Sequence, residues 1–419
     1  MTTAAPELRA SFARLRARLD ALAEVGATTA GGCARLALTD ADRDGRDLVV
    51  GWMRDLGTRV DVDRLGNVVA TWPPDRDDPA VMTGSHIDTV ANGGRYDGCL
   101  GVLAGLEVLE TLIAAGAEPV HPLAVAFFTD EEGSRFAPDM LGSLAFAGGI
   151  PVEAALDVVA IDGATVGAEL ARIGYAGAAP CPARPPRAFV ELHIEQGPVL
   201  EQHGVTIGAV TGVQGISWSE VTVTGQSNHA GTTPIALRHD AGYAVAALST
   251  ALRAYVDDVG PPLVGTVGRV ELTPNLVNVV PGRAVCTVDL RHTDESALDA
   301  AVAWLARTCA DLAEREGVTI EVSTLARFAP VVFAPEVVDL VESTARDRGY
   351  SVMRMPSGAG HDAQMLGRVS PAGMVFVPSA RGVSHNPAEH TDDADLEAGL
   401  DVLLRVLCAL AEVPGGEQG

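Results

Sequence analysis

The chain of 419 residues carries 55 acidic and 30 basic side chains, which gives a formal net charge of −25, and every basic residue is an arginine. Apolar residues make up 47% of the chain, enough for a large core, so extensive disorder is excluded. An acidic protein repels nucleic-acid phosphates and anionic lipid headgroups, so neither a nucleic acid nor a membrane is an expected partner.

The length predicts about two domains. The six cysteines form no CxxC pair, so we expect free thiols and a reducing, cytoplasmic location. Arg and Glu interrupt the first 26 residues, which disfavours a secretory signal, and the Leu and Ala spacing there predicts an amphipathic helix. The sequence has no stretch of 18 apolar residues, so no membrane span is expected.

The first half of the chain alternates short apolar runs with helical patterns. Strands are predicted at 67–72, 80–83, 123–128 and 189–192. After the second strand, apolar residues recur at steps of four, three and four, which predicts one buried stripe of a helix: Val102, Leu106, Leu109 and Ile113. Strands that alternate with helices predict an α/β fold.

The segment from about residue 207 to 326 has a different order of elements. Strands are predicted at 216–224, 263–272, 284–290 and 318–324, with helices at 241–256 and 295–316. This β-α-β-β-α-β order is that of a ferredoxin-like unit. The α/β alternation then returns, with a helix at 335–348, a strand at 374–378 and a helix at 394–411. We therefore predict a discontinuous catalytic domain, 1–208 and 327–419, interrupted by an inserted α+β domain at 209–326.

Side chains of the types that bind metal ions follow four predicted strands, at the point where each strand ends. The apolar runs AVMT, LAVAFF, FVEL and MVFVP lead directly into GSHIDT, TDEEGSRF, HIEQG and SARGVSHNPAEHT. Ligands of α/β sheets bind beyond the carboxyl ends of the strands, so we expect these side chains to converge at one edge. The residues expected there are His86, Asp88, Asp97, Asp130, Glu131, Glu132, His193, Glu195 and His385.

The donor types favour a pair of catalytic metal ions. Histidine with carboxylate and without cysteine is typical of Zn, Mn, Co or Ni rather than of a structural thiolate site. Three histidines and several carboxylates exceed the needs of one catalytic ion and suit two ions about 3.5–4 Å apart. One of Glu131 and Glu132 can then bind metal while the other takes a proton from a bridging water. Asp88 is placed to hydrogen-bond the His86 ring and fix its tautomer.

Each of these features has an ordinary structural interpretation when it is taken alone. A single histidine after a strand is more often a surface or core residue than a ligand. An acidic pair or a pair of glycines is usually part of a solvated turn. The hypothesis of a dinuclear site therefore depends on the coincidence that four strand ends carry the same set of ligand types.

Seven motifs resemble one known family. In chain order they are GSHIDTVANGGRYDG, TDEEGSRF, ELHIEQGPVLE, GQSNHAGTTP, PNLVNVVPG, GAGHDA and RGVSHNPAEHT. They resemble the amidase and carbamoylase branch of the M20 metallopeptidase superfamily, which includes N-carbamoyl-L-amino-acid hydrolase, allantoate amidohydrolase and yeast-type β-ureidopropionase. The resemblance implies a phosphorylase/hydrolase-like, aminopeptidase-type sheet with a dinuclear metal site. It also implies that the inserted ferredoxin-like domain is a lid and a homodimer interface.

The resemblance implies roles for individual residues. Five residues would hold two divalent ions: His86, Asp97, Glu132, His193 and His385. Asp97 would bridge both ions. Glu131 would be the general base, and His229 of the lid would stabilise a tetrahedral oxyanion. A small carboxylate substrate would contact Asn278 and Arg291 through its carboxylate, and its pocket would include Gln196, Gly358 and His361. His361 and Asp362 could instead be a feature of a helix N-terminus.

The implied reaction is hydrolysis of the carbamoyl C–N bond of N-carbamoyl-L-amino acids to give the amino acid, carbon dioxide and ammonia. Allantoate amidohydrolase is the first alternative and β-ureidopropionase the second; Arg291 does not separate them, because all three substrates carry a carboxylate. His193 disfavours a dipeptidase, because peptidase members more often have an acidic residue there. The intact Glu131–Glu132 pair and the complete ligand set disfavour an inactive metal-binding homologue.

Overall fold

The computed structural model describes residues 8–414. Residues 1–7 of the predicted N-terminal helix and residues 415–419 of the predicted C-terminal domain piece lie outside the described part. The described chain divides into two compact units, one made of residues 8–212 and 333–414 and the other of Val213–Val332. Within 8–414, no helix combines the length and the apolarity needed to cross a bilayer.

The elements are numbered in chain order. The helices are α1 (Phe12–Ala23), α2 (Asp40–Asp55), α3 (Cys99–Ala114), α4 (Leu141–Phe146), α5 (Val152–Leu156), α6 (Val166–Ile173), α7 (Val199–His203), α8 (Ala241–Val259), α9 (Glu295–Glu316), α10 (Pro335–Asp347), α11 (Asp362–Leu366) and α12 (Asp393–Leu410). The strands are β1 (Arg59–Val62), β2 (Val68–Trp72), β3 (Val81–His86), β4 (Leu123–Phe128), β5 (Ala188–Ile194), β6 (Ile207–Val213), β7 (Gly215–Thr224), β8 (Asn228–His229), β9 (Val264–Thr273), β10 (Val279–Val280), β11 (Arg283–His292), β12 (Thr319–Phe328), β13 (Val331–Val332), β14 (Val352–Ser357) and β15 (Ala372–Val377).

The first unit is built on a large mixed sheet. Its strands run in the order β1-β2-β4-β3-β5-β15-β6, and β14 pairs with β6. The four central strands β4, β3, β5 and β15 are parallel, and β2 and β6 flank them in antiparallel pairing. Every residue of the central strands is buried, as expected for a sheet that helices cover on both faces. The predicted mixed α/β fold with a large central sheet is confirmed.

The pairing register sets the carboxyl ends of the central strands at one edge. His86, the last residue of β3, pairs with Phe128, the last residue of β4. Ile194 and Val377, the last residues of β5 and β15, pair in the same way. The loops that follow these four strands therefore begin side by side, which is where the ligand-rich motifs stand in the sequence.

Helix α3 follows β3 and lies in the interior. The sequence predicts one apolar stripe, but the structure buries the helix on almost every side. The reason is that α3 packs against β3, β4 and β5 while α1 and α12 cover it. Its buried Glu107 is compensated by Arg14 of α1, whose Nη2 and Nε donate to the carboxylate at 2.6 and 2.9 Å.

The second unit contains a four-stranded antiparallel sheet in the order β12-β7-β11-β9. Helices α8 and α9 share a core with the sheet, which gives the element order β-α-β-β-α-β. A short ribbon pairs β8 with β10 and sets His229 opposite Val279. The different order of elements was predicted to begin at about residue 207. Residues 207–213 form β6, which pairs with β15 in the large sheet.

Candidate metal centre

Side chains that follow the four central strands meet in one pocket of about 100 Å³. All of the pocket residues belong to the first unit. The pocket contains the five predicted ligands together with three further residues predicted for the site: His86, Asp97, Glu132, His193, His385, Glu131, Gln196 and His361. Asp139, Ala359 and Gly360 complete the lining.

Asp97 lies at the middle of the pocket and faces histidines with both carboxylate oxygens. Its Oδ1 lies 3.6 Å from His86 Nε2 and 3.3 Å from His193 Nε2. Its Oδ2 lies 3.4 Å from His385 Nε2, which is in turn 3.3 Å from Glu132 Oε2. The donors thus form two groups that share Asp97, and within each group the donor atoms lie within 4.8 Å of one another.

Main-chain carbonyls orient two of the histidine rings. Nδ1 of His86 lies 3.0 Å from the carbonyl oxygen of Asp88, and Nδ1 of His193 lies 2.9 Å from that of Ile194. A carbonyl oxygen can only accept, so each Nδ1 donates and the neutral ring presents the Nε2 lone pair to the pocket. The N–H of Gly98 donates to His193 Nε2 at 3.1 Å, which agrees with this orientation.

The contact of Asp88 differs from the one that the sequence predicts. Its carboxylate was expected to bond the His86 ring, but Oδ1 lies 3.9 Å from Nδ1, and the main-chain carbonyl makes the bond instead. The carboxylate accepts the N–H groups of Glu131 and Glu132, each at 3.4 Å. Asp88 therefore supports the site from two directions, through the ring of one ligand and through the loop of another.

Buried acids crowd the pocket. Burial, with Asp362 and Glu132 adding to it, raises the pKa of Glu131 well above its usual value. Burial and then Asp97 raise the pKa of Glu132 to about 8. Burial also acts on Asp97, but its histidine neighbours hold the pKa of that carboxyl well below its usual range. This concentration of negative charge is costly without a compensating cation.

The donor set therefore fits divalent cations. Inward-facing Nε2 lone pairs and carboxylate oxygens are ligands that Zn, Mn, Co and Ni accept. Burial opposes protonation of His86, but Glu131, Asp97 and Asp88 together raise its pKa well above the usual value. A bound cation would supply the positive charge that these carboxylates favour at this position.

The turn at Gly98 brings α3 against His86. Gly98 has φ of +63°, and a Cβ there would lie 2.4 Å from Cε1 and Nε2 of the His86 ring. Only glycine combines the left-handed conformation with this close approach. The glycine at position 98 is therefore explained by the space that the His86 ring occupies.

Ser384 and Glu389 are two of the site residues that were not singled out from the sequence, and Asp139 is another. Ser384 Oγ lies 3.1 Å from Asp97 Oδ2 and 3.3 Å from Glu389 Oε2. Glu389 Oε1 accepts the N–H groups of Tyr96 and Asp97 at 2.9 and 3.2 Å. The available signal was that both residues share the motif RGVSHNPAEHT with His385. Asp139 had no such signal.

The predicted pocket residues of the first unit lie at or near the pocket. Gln196 has φ of +59°, and its Nε2 donates to Asp97 Oδ2 at 2.9 Å. His361 immediately precedes α11 without a side-chain capping hydrogen bond, and its ring centroid lies 4.6 Å from that of His193. Burial and the His193 ring lower the pKa of His361 well below its usual value, so the ring stays neutral. Gly358 directly precedes the lining residues 359 and 360.

Two residues of the expected cluster have other positions. Glu195 accepts the N–H groups of Val199 and Leu200 at 2.7 and 2.8 Å, so its carboxylate caps α7 instead of entering the pocket. The prediction that it converges with the ligands is wrong, because β5 ends at Ile194 and the chain then turns, with Gln196 at φ of +59°. Asp130 is fully buried with φ of +58° beside Asp88, and burial and Asp88 raise its pKa well above the usual value.

Three predicted substrate residues belong to the second unit. His229 is exposed, and its Nδ1 accepts the N–H groups of Gly231 and Thr232 at 3.0 and 3.2 Å. The neutral ring therefore carries its proton on Nε2 and can donate there. The N–H of Ala230 donates to the carbonyl oxygen of Asn278 at 2.9 Å, so that residue lies beside His229 on the ribbon.

Arg291 already holds a carboxylate of its own chain. Its Nε and Nη2 donate to Oδ1 and Oδ2 of Asp289 at 3.2 and 2.9 Å, in the two-pronged geometry that Arg forms with carboxylates. The two residues stand two apart on β11 and so share one face of the sheet. A substrate carboxylate would compete with Asp289 for this fork.

Comparison with known proteins identifies the family. The sequence profile of Peptidase family M20/M25/M40 matches residues 82–409. N-carbamoyl-L-amino-acid amidohydrolase of Rhizobium meliloti is 41% identical over 406 residues, which cover 97% of this chain and 98% of that protein. Allantoate amidohydrolase of Bacillus subtilis is 36% identical over 396 residues, 93% of this chain and 95% of that protein.

The fold comparison agrees with the sequence comparison. The crystal structure of a hydantoinase/carbamoylase family amidase from Burkholderia multivorans matches with a TM-score of 0.93 and 44% identity, covering 96% of this chain and 98% of that one. The resemblance of the seven motifs is thereby confirmed over nearly the whole length. This chain belongs to peptidase family M20/M25/M40.

Proposed function

We propose that this protein hydrolyses the carbamoyl C–N bond of N-carbamoyl-L-amino acids at a centre of two divalent ions, each Zn, Mn, Co or Ni. The observation that carries the proposal is the pair of donor groups that share Asp97. The relatives support the same class of reaction, because they are named amidohydrolases. The carbamoyl-amino-acid enzyme of Rhizobium meliloti is more similar than the allantoate enzyme of Bacillus subtilis, 41% against 36%.

The two groups assign the ligands of each ion. One ion would bind His86, His193 and Oδ1 of Asp97, and the other would bind Glu132, His385 and Oδ2 of Asp97. Two bound cations supply Lewis-acid polarisation of a carbonyl and lower the pKa of a shared water. Every other part of the mechanism is assigned to groups of this chain.

Glu131 is suited to carry the proton. It stands outside both donor groups, although its Oε2 lies 3.4 Å from His86 Nε2. In the proposed step the Glu131 carboxylate takes a proton from the attacking water as the new C–O bond forms. Glu131 then gives that proton to the leaving nitrogen as the C–N bond breaks. Cleavage of the bond to the amino-acid nitrogen releases the free amino acid and carbamic acid, which decomposes to ammonia and carbon dioxide.

The second unit supplies the substrate-binding groups in this proposal. His229 donates its Nε2 proton to the developing oxyanion, and Asn278 and Arg291 bind the substrate carboxylate. We assign this unit as a lid and as the interface of a homodimer. Exposed apolar side chains near the ribbon support a partner-binding role: Ile235, Leu237, Leu276 and Val277. Replacing His229 by Ala is expected to lower kcat about 10²–10³-fold with unchanged metal content, measured by steady-state kinetics and elemental analysis.

The deciding experiment measures ammonia release after chelation and reloading with Mn or Zn. The substrates are a panel of N-carbamoyl-L-amino acids, N-carbamoyl-β-alanine and allantoate, with metal-stripped protein as the control. Metal-dependent release from the α-carbamoyl compounds supports the proposal. Release from allantoate alone would assign the protein to the allantoate reaction, and release from N-carbamoyl-β-alanine alone to the β-ureidopropionase reaction. Activity that survives metal removal would overturn the mechanism.

A further inference from the structure

A buried carboxylate joins the loop of Asp97 to the segment that carries His385. Glu389 is 6% exposed, and its Oε1 accepts the N–H groups of Tyr96 and Asp97 at 2.9 and 3.2 Å. These bonds cross 293 and 292 residues of sequence. Burying a carboxylate is unfavourable unless hydrogen bonds compensate for the lost water, so the two N–H donors fix where Glu389 can lie.

The fit between the two segments is close. A Cβ at Gly94 would lie 2.1 Å from Glu389 Oε1 and 2.5 Å from Glu389 Cβ. Any residue larger than glycine at this position would push the carboxylate off the N–H groups that it accepts. Glu389 is therefore packed directly against the backbone of the loop that leads to Asp97.

The other oxygen of Glu389 reaches the Asp97 side chain through one hydroxyl. Ser384 Oγ lies 3.3 Å from Glu389 Oε2 and 3.1 Å from Asp97 Oδ2. Oδ2 is the oxygen that faces His385, whereas Oδ1 faces the other two histidines. Glu389 is thus linked to Asp97 in two ways. It accepts the main-chain N–H of Asp97 directly, and it reaches Asp97 Oδ2 indirectly through the hydroxyl of Ser384.

We propose that Glu389 is a positioning residue that fixes Asp97 as the bridging ligand and holds Oδ2 toward the ion position formed with Glu132 and His385. It acts through the two main-chain N–H groups and through Ser384. The inference rests on the proposed function only in that cations bind at both donor groups. No step of the reaction is assigned to Glu389 itself.

The two ion positions should differ in their dependence on Glu389. His86 and His193 stand on β3 and β5 and are oriented by the carbonyls of Asp88 and Ile194. Their group keeps these supports when Glu389 is replaced. The group of Glu132 and His385 depends on Asp97 Oδ2, so this ion is expected to be lost first.

The test compares metal binding in four variants of the full-length protein. Glu389→Ala removes every contact of the carboxylate. Glu389→Gln keeps an oxygen for the two N–H groups, and its NH₂ donates to Ser384, which leaves the Ser384 proton for Asp97. Ser384→Ala removes the hydroxyl alone. Glu201→Ala is the matched control. Glu201 of α7 accepts the N–H of Arg381 at 2.7 Å, and Arg381 belongs to the segment that carries His385 but does not contact Asp97 through this bond.

Zn²⁺ and Mn²⁺ are the probes. Stoichiometry after dialysis is measured by elemental analysis, affinity by competition with a chromophoric chelator, and folding by circular dichroism. Glu389→Ala is expected to retain one tight ion and to bind the second about 10–100-fold more weakly, the usual effect of losing a residue that supports a metal ligand. Glu389→Gln should stay within about threefold of the wild type, because its amide oxygen still accepts the two N–H groups and its NH₂ still contacts Ser384, with the direction of that bond reversed. Ser384→Ala should lose up to about 10-fold at the second ion.

Two tight ions in Glu389→Ala would overturn the inference, and so would an equal loss in Glu201→Ala, which would indicate a general loosening of the segment. If Glu389→Ala does not fold, Ser384→Ala decides, and wild-type affinity for both ions in that variant counts against the inference. If the wild type binds two ions but releases no ammonia, the proposed substrate is wrong, and the metal measurement remains valid. A wild type that binds fewer than two ions overturns both proposals.

Discussion

Replacing Gly98 by Ala tests whether the turn before α3 sets the position of His86. Gly98 has φ of +63°, and the added Cβ would lie 2.4 Å from the His86 ring. Holding alanine in this left-handed conformation costs about 1–2 kcal/mol, and overlap in a packed site costs about 1–3 kcal/mol more. We expect Gly98→Ala to lose about 2–5 kcal/mol of unfolding free energy and, because His86 must move, to bind metal more weakly.

Gly116 is the matched control at the other end of the same helix. Its φ is +62°, and among residues 8–414 no atom lies within 4 Å of the position that its Cβ would take. Gly116→Ala therefore incurs the backbone strain alone, about 1–2 kcal/mol. The difference between the two variants isolates the contact with His86.

Urea unfolding of the metal-stripped proteins, followed by circular dichroism, measures the loss of stability. Elemental analysis of the reloaded proteins measures the effect on the site. Equal destabilisation of the two variants, with wild-type metal content in both, would refute the argument that Gly98 is required by the His86 ring.

Three further predictions follow from the same geometry. Glu131→Gln is expected to keep its metal ions, because Glu131 stands outside both donor groups, and to lose about 10²–10⁴-fold in kcat, as for other general bases; elemental analysis and kinetics check both. In the metal-free protein the folded-state pKa values of Glu132, about 8, and His385, about 9, lie above their unfolded values. The protein therefore loses stability as pH rises, from 4.5 to about 8 through Glu132 and from 6.5 to about 9 through His385. The melting temperature of the chelated protein should fall between pH 6.5 and 9 while stabilisation by added metal grows, and a rise in the chelated protein would contradict this. Asp289→Asn weakens the ion pair that holds the fork of Arg291 and should lower KM for carboxylate substrates, whereas Arg291→Lys should raise KM about 10-fold or more. An unchanged or raised KM for Asp289→Asn in steady-state kinetics would argue against competition for the fork.

The ligand-bearing strand ends could be predicted because their signals are local. His86, Glu132 and His193 each stand at or within a few residues of the end of an apolar run that the sequence marks clearly. Parallel pairing of the four central strands then brings these ends together without further information. The sequence therefore shows both the residue types of the candidate ligands and the alternation of strands and helices that predicts their common location.

The supports of the ligands could not be predicted, because they depend on distant contacts. Ser384 meets Asp97 across 287 residues and Glu389 meets it across 292. The pairing of Arg291 with Asp289 is local, but a sequence does not show whether an Arg on a strand faces a substrate or a neighbour. Helices α4, α5 and α7 were not predicted, since five or six residues are too few to show a helical period.

The position of β15 means that the large sheet cannot be completed before residues 372–377 have been made. This strand lies between β5 and β6 in the sheet, although the whole second unit precedes it in the sequence. Until the ribosome has made residues 372–377, one edge of β5 has no partner, and all seven residues of β5 are buried in the finished sheet. Such an apolar edge can pair with other chains, so nascent chains depend on protection from aggregation. His385 follows β15 in the sequence, so the second donor group cannot be complete before this strand has been made.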